Sequence, residues 1–98
     1  MSLHLHFMGA GGVGMSGLAE VYKAQGFRVS GCDLEASDRT AHLEDVGVPV
    51  AVGHDPDHLD GVDVLVVTSA VDRAHPEVAA ALGRGLSVAR RAEMLAEL

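Results

Sequence analysis

Four glycines fall within six positions in the stretch Gly9-Ala10-Gly11-Gly12-Val13-Gly14. Gly9, Gly11 and Gly14 spell G-x-G-x-x-G, directly after an aliphatic run and directly before an amphipathic one. Such a turn carries no nucleophile and no acid or base; its chemistry is the holding of an anion by main-chain amides. Gly9 lets the chain leave a strand sharply, a Gly11 without Cβ admits a diphosphate to the backbone, and Gly14 is expected to bring the following helix close to the sheet. The first N–H groups of that helix lack intrahelical partners and sit at the positive end of its dipole. The dipole contributes about 0.3–1 kcal/mol, and each hydrogen bond to a charged oxygen roughly 1.5–3 kcal/mol. Glycine costs about 0.5–1 kcal/mol relative to alanine where no special backbone angle is needed, so packing alone is a poor reason for four of them. The spacing therefore points to the diphosphate of a nucleotide-linked ligand.

Further residues are candidates by position. Asp33 follows Gly14 by nineteen residues, at the end of the next aliphatic run. There it can accept from ribose hydroxyls or cap a turn, and a carboxylate argues against a 2′-phosphate. Thr68-Ser69-Ala70 closes the strongest strand pattern, where hydroxyls reach a phosphate or sugar, or simply turn the chain. His54 follows a short strand, near where a base could lie. Arg90-Arg91 sit where a helix begins, an unfavourable place for cations that favours a ligand-binding role for Arg91 over a solvated one. Of the other histidines, His4 and His6 alternate along the first strand, His42 lies on a helix and His58 and His75 in separate loops, with no second cysteine in the chain, so no metal site is expected, and Cys32 reads as a small buried hydrophobe. No serine, cysteine or carboxylate pair forms a catalytic arrangement. The only lysine, Lys23, lies inside a helix and rules out a G-x-x-x-x-G-K-[S/T] loop. The segment reads as a binding module without a cofactor of its own.

The elements that must position these residues alternate. Leu3 to Met8 reads as the first strand and Gly14 to Gln25 as a helix, with Met15, Leu18, Ala19 and Tyr22 on one stripe and Gly26 at its end. Phe27 to Cys32 is a second strand. Ser37 or Asp38 caps a second helix that Gly47 stops. Val48 to Val52 is a third strand, Asp55-Pro56 a single turn, and Val62 to Thr68 a central strand. His75-Pro76 opens a third helix running to Gly83. Leu86 to Ala89 is a fifth strand, and a last helix begins at Arg90. This order predicts one Rossmann-like α/β domain over residues 1–98, a parallel sheet of order 3-2-1-4-5 with right-handed crossovers, and a crevice between strands 1 and 4.

Composition agrees. Hydrophobic residues make up 48% and aromatics 3% of 98 residues, which suits Val- and Leu-rich buried strands under Ala-rich helices. Fourteen acids against seven bases give a formal charge of −7, with no basic stripe to displace counterions from nucleic acid. A phosphate must be held locally, against a field that salt screens within about 10 Å. With one cysteine, no signal-like start and no membrane-length apolar run, the expectation is a cytoplasmic protein free of membrane contact. Leu98 falls inside a helical pattern, which points to a piece cut from a longer chain.

The run His6 to Glu20 resembles the opening of the Mur ligases, an ATP-dependent family of peptidoglycan synthesis. Val29-Ser30-Gly31-Cys32-Asp33, Val66 to Val71 with His75-Pro76-Glu77, and Arg90-Arg91-Ala92-Glu93-Met94-Leu95-Ala96-Glu97-Leu98 match in order, so the resemblance spans nearly the whole chain. Ala10 and His75 depart from the family's usual larger aliphatic residue and asparagine. The resemblance implies an N-terminal, Rossmann-like domain that binds the UDP part of UDP-N-acetylmuramate. It implies that Gly11, Gly12, Val13, Gly14, Met15 and Ser16 meet the diphosphate, and that Asp33, His54 and Ser69 surround the uridine. It further implies ATP-binding and C-terminal domains beyond this point. There ATP and magnesium form an acyl phosphate on the muramoyl carboxylate, which the amine of L-alanine attacks. A segment without those domains is expected to bind and not to ligate. An NAD-binding domain of a dehydrogenase or regulatory protein, and an interaction domain that has lost its ligand, are the alternatives the same glycine turn allows.

Overall fold

A computed structural model describes residues 3–53, 59, 61–68 and 75–90. In chain order the elements are β1 (His4–Met8), α1 (Val13–Ala24), β2 (Arg28–Asp33), α2 (Asp38–Asp45), β3 (Val50–Val52), β4 (Val64–Val67), α3 (Pro76–Gly83) and β5 (Ser87–Arg90). All strand pairs are parallel and the sheet order is β3-β2-β1-β4-β5, as the alternating pattern predicts.

Strand faces alternate as the pleat requires. Leu5 and Phe7 of β1 join Val29 and Val66 under Met15, Leu18 and Tyr22 of α1. Met8, Cys32, Leu65 and Val67 meet Val78 and Ala81 of α3 on the opposite face. Tyr22 stands between Phe7 and Phe27, with ring centroids 6.5 and 5.2 Å away, so the three aromatic residues of the chain form one group. The helices start and stop for local reasons. Ser37 caps α2 in a reciprocal box with Thr40, and Gly47 ends that helix at φ 94°. At α3, His75 Nδ1 accepts the Glu77 amide, with Pro76 in the first turn.

Several boundaries differ from the sequence expectation. β3 begins at Val50 because the Val48 amide bonds back to Leu43 O and so finishes α2, and Pro49 has no amide to give. β4 begins at Val64: Val62 N bonds Leu59 O, and Asp63 is occupied with His4, its carboxylate accepting the His4 amide at 2.8 Å. β5 runs on to Arg90, which is therefore a strand residue and not the start of a helix. The turn expected at Asp55-Pro56, and the remainder of the last helix, lie outside the described residues. Among the described residues no helix is long and apolar enough to cross a membrane.

Candidate functional site

The sheet reverses its winding between β1 and β4, and the glycine turn leaves β1 at that point. Its floor is one carbonyl: Cys32 O accepts both Gly9 N (2.8 Å) and Ala10 N (3.0 Å). Gly9 has φ 74°, a left-handed conformation that explains its glycine. Gly12 N closes the turn on Gly9 O at 3.0 Å. Gly12 is then the N-cap of α1, and having no side chain it caps nothing. The first helical bond runs from Ser16 N to Gly12 O, 2.9 Å, so the amides of Val13, Gly14 and Met15 have no intrahelical acceptor. The first turn of α1 contains no acid. Gly12 and Gly14 are exposed, Ser16 is partly so, and Met15 points into the core. The arrangement is a bare helix N-terminus suited to an anion.

Gly11 has surroundings other than expected. A Cβ on Gly11 would lie 2.7 Å from Asp33 Oδ2, 3.1 Å from Thr40 Cγ2 and 3.2 Å from Ser37 Oγ. The space its missing side chain leaves is thus filled by β2 and α2, and admits Asp33 rather than a phosphate. Gly14 is exposed. A close approach between strand and turn is made at Gly31, where a Cβ would come within 2.6 Å of Ala10 Cβ and 3.0 Å of Phe7 O.

Asp33 is half-buried; its Oδ2 accepts Gly11 N at 2.8 Å and its Oδ1 lies 3.4 Å from Glu35 N. It therefore fixes the turn. A cavity of about 140 Å³ lies on the α2 side, lined by Glu35, Ser37, Thr40, Glu44 and Val52 among others. Two carboxylates at its edge make it a poor seat for a phosphate. His54, with His58 four residues on, and Ser69, Ala70 and Arg91 lie outside the described residues.

Sequence spacing gave no hint of a second constellation. His6 from β1, Cys32 from β2 and Glu77 from α3 are all buried, and one ligand atom of each lies within 4.8 Å of the others. No short-range motif could reveal three residues drawn from three elements. Cys32 is more than a small hydrophobe: its Sγ donates to Glu77 at 3.4–3.5 Å. Burial pushes the Cys32 thiol far above its ordinary range, and the neighbouring Glu77 charge adds to this. The native chain should accordingly resist iodoacetamide at pH 8 and react once urea unfolds it, as followed by mass spectrometry. Fast alkylation under native conditions would contradict this burial.

The chain has close relatives. A family model described as Mur ligase family, catalytic domain, matches residues 4–98. The UDP-N-acetylmuramate–L-alanine ligase of Psychrobacter arcticus is 53% identical over 95 residues, covering 97% of this chain and 20% of the relative. Among solved structures, the UDP-N-acetylmuramate-alanine ligase of Thermotoga maritima superposes with a TM-score of 0.91 at 32% identity, covering 97% of this chain and 22% of that one. A murein peptide ligase of Psychrobacter arcticus gives 0.92 at 30%, covering 98% and 20%. The chain thus spans about a fifth of the curated relatives it matches. With a matching family model over nearly its full length and the same parallel sheet, the chain belongs to the Mur ligase family.

Proposed function

We propose that this chain is the nucleotide-binding N-terminal domain of an ATP-dependent, cytoplasmic UDP-N-acetylmuramate–L-alanine ligase of peptidoglycan synthesis, and that it holds the UDP part of UDP-N-acetylmuramate. The observation that carries the reading is the start of α1 at the reversal of the sheet, where the N-cap Gly12 has no side chain, the amides of three consecutive residues precede the first helical bond, and the first turn holds no acid. In this reading the diphosphate sits on Val13, Gly14, Met15 and Ser16. Gly9 and Gly12 shape the turn, and Gly11 yields its amide to Asp33, whose Oδ1 remains oriented toward a ribose hydroxyl. His54, Ser69, Ala70 and Arg91 complete the uridine and phosphate contacts.

ATP and magnesium, which the reading implies for the complete enzyme, find no fitting seat among the described residues. The sequence has no lysine-bearing phosphate loop. The one grouping of potential ligands among the described residues, His6, Cys32 and Glu77, mixes thiol and imidazole with a single carboxylate, whereas magnesium takes oxygen donors. In this reading ligation belongs to other parts of the enzyme.

Thermal unfolding tests the reading. At a hundred times its Kd, a ligand adds about 2.7 kcal/mol to stability, and for a domain of this size each kcal/mol moves Tm by about 4–8 °C. UDP-N-acetylmuramate should raise Tm well beyond NAD at equal concentration. An equal or larger shift with NAD would instead mark a dinucleotide-binding domain.

A further inference from the structure

Three buried side chains of different chemistry converge on the α3 face of the sheet. His6 comes from β1, Cys32 from β2 and Glu77 from the first turn of α3, and they are 2%, 0% and 0% exposed. One donor atom of each lies within 4.8 Å of the other two. The backbone brings them together. His6 pairs with Ser30 across β1 and β2, so Cys32, two residues beyond Ser30, projects from the same face one step along. The Glu77 amide donates to His75 Nδ1 at the start of α3, and from that first turn the carboxylate reaches both strands.

The separations suit ligands around one small ion. Glu77 Oε1 stands 3.3 Å from His6 Nε2 and 3.4 Å from Cys32 Sγ. Bonds of about 2.0–2.1 Å to nitrogen and oxygen and about 2.3 Å to sulfur put the ligand atoms of tetrahedral zinc about 3.3–3.6 Å apart. The imidazole and the thiol lie within 4.8 Å, so coordination asks for no more than a small closing of that pair. Donor chemistry agrees. Thiolate, imidazole and carboxylate are the three ligand types of zinc, whereas magnesium and calcium take oxygen alone. Charge balances too. A thiolate and a carboxylate bring one negative charge each, which a divalent cation cancels, leaving a neutral unit in an apolar interior. The imidazole is held from behind, with His6 Nδ1 2.8 Å from Ser30 Oγ; ligating histidines ordinarily have such a partner on the far nitrogen.

We propose that His6, Cys32 and Glu77 form a structural site for zinc, with one further donor completing the tetrahedron, and that the ion fastens α3 to β1 and β2. Without metal, the Cys32 thiol donates its proton to Glu77. The ion takes that place: the S–H bond breaks, the sulfur electron pair goes to the metal, and the proton leaves to solvent. Burial and the Glu77 charge push the thiol up while only a proton is there, and a bound cation reverses this, since a coordinating thiol is deprotonated outright. Burial of all three ligands marks the site as structural, because a catalytic ion keeps an open position for substrate. Cys32 O is also the floor on which Gly9 N and Ala10 N rest, so the ion braces the strand end beneath the glycine turn.

Cobalt(II) is the spectroscopic probe. The untagged chain is stripped of metal with a chelator, unfolded in urea with a reductant, and refolded with cobalt so that a closed core does not bar entry. One equivalent should bind, with the intense visible bands of a tetrahedral ion and the near-ultraviolet band of a thiolate–cobalt bond, and zinc should abolish both. Zinc at a hundred times its Kd should raise Tm by more than about 10 °C. A folded wild type without the thiolate band, or zinc that leaves Tm in place, overturns the proposal. Surface histidines are the competing source of metal binding, since exposed His42 stands 2.9 Å from Glu20. His42→Gln should leave the spectrum unchanged, and a spectrum lost in that variant places the ion on the surface and refutes the site. Cys32→Ser should lose the thiolate band. Ser30→Ala keeps all three ligands and should weaken cobalt binding by about 10–100-fold, and Glu77→Gln should weaken it at least as much. Where a ligand variant does not fold, the wild-type spectrum and Ser30→Ala decide, and wild-type affinity in Ser30→Ala severs His6 from the ion. No nucleotide is present in any of these measurements, so their outcome is independent of UDP binding.

Discussion

Gly31→Ala should destabilise the chain by about 1–3 kcal/mol, the usual cost of forcing an extra carbon into a filled core. The new Cβ would stand 2.6 Å from Ala10 Cβ and 3.0 Å from Phe7 O. Neither neighbour yields easily. Ala10 is wholly buried and its amide is bonded to Cys32 O. Phe7 O belongs to β1, which is paired on both edges. Alanine recovers about 0.5–1 kcal/mol of backbone entropy, which is too little to offset the collision. Urea unfolding measures the loss, and for a chain this short Tm should drop by at least several degrees. Ala10→Gly in the same chain should restore part of the stability, because it removes one obstacle and leaves the carbonyl. Full restoration would place the strain entirely on Ala10, and no loss in the single variant would contradict the packing of the turn on β2.

The elements that proved legible are those whose signals are local. The stripe of Met15, Leu18, Ala19 and Tyr22 marked α1 because side chains three and four apart share a helix face. The aliphatic run around Leu65 and Val66 marked a strand buried on both sides. Alternation of such segments fixes a parallel sheet, and handedness then leaves few orders. The edges of elements were less legible, because Val48 and Val62 look like strand residues and are held by turns into Leu43 and Leu59. In the site, the turn and the bare helix start could be read from glycine spacing. The partner of Gly11 could not, since Asp33 is brought there by the pairing of β1 with β2. His6, Cys32 and Glu77 stayed hidden for the same reason. Each alone reads as a strand or helix residue, and only the folded sheet makes them neighbours.

Gly14→Asp separates the two roles of the helix start, because its effects on stability and on binding should have opposite signs. Gly14 is exposed in the first turn of α1, and no helical angle forbids a side chain there. A carboxylate at that place interacts favourably with the helix dipole, by about 0.3–1 kcal/mol, and replacing glycine inside a helix adds a few tenths more by propensity. The variant should therefore melt at or above the wild-type temperature. The same charge would stand about 5 Å from a phosphate seated on the neighbouring amides, and Coulomb repulsion there is on the order of 1–3 kcal/mol per phosphate charge between water-like and surface-like dielectric. UDP affinity should fall by roughly 10- to 100-fold, and the deficit should shrink as salt is raised. Gly14→Asn, nearly the same size without the charge, should keep most of the affinity. If aspartate and asparagine weaken UDP equally, bulk and not charge governs the turn. If neither weakens it, the diphosphate is held elsewhere, and the uncapped amides of Val13, Gly14 and Met15 are not its seat.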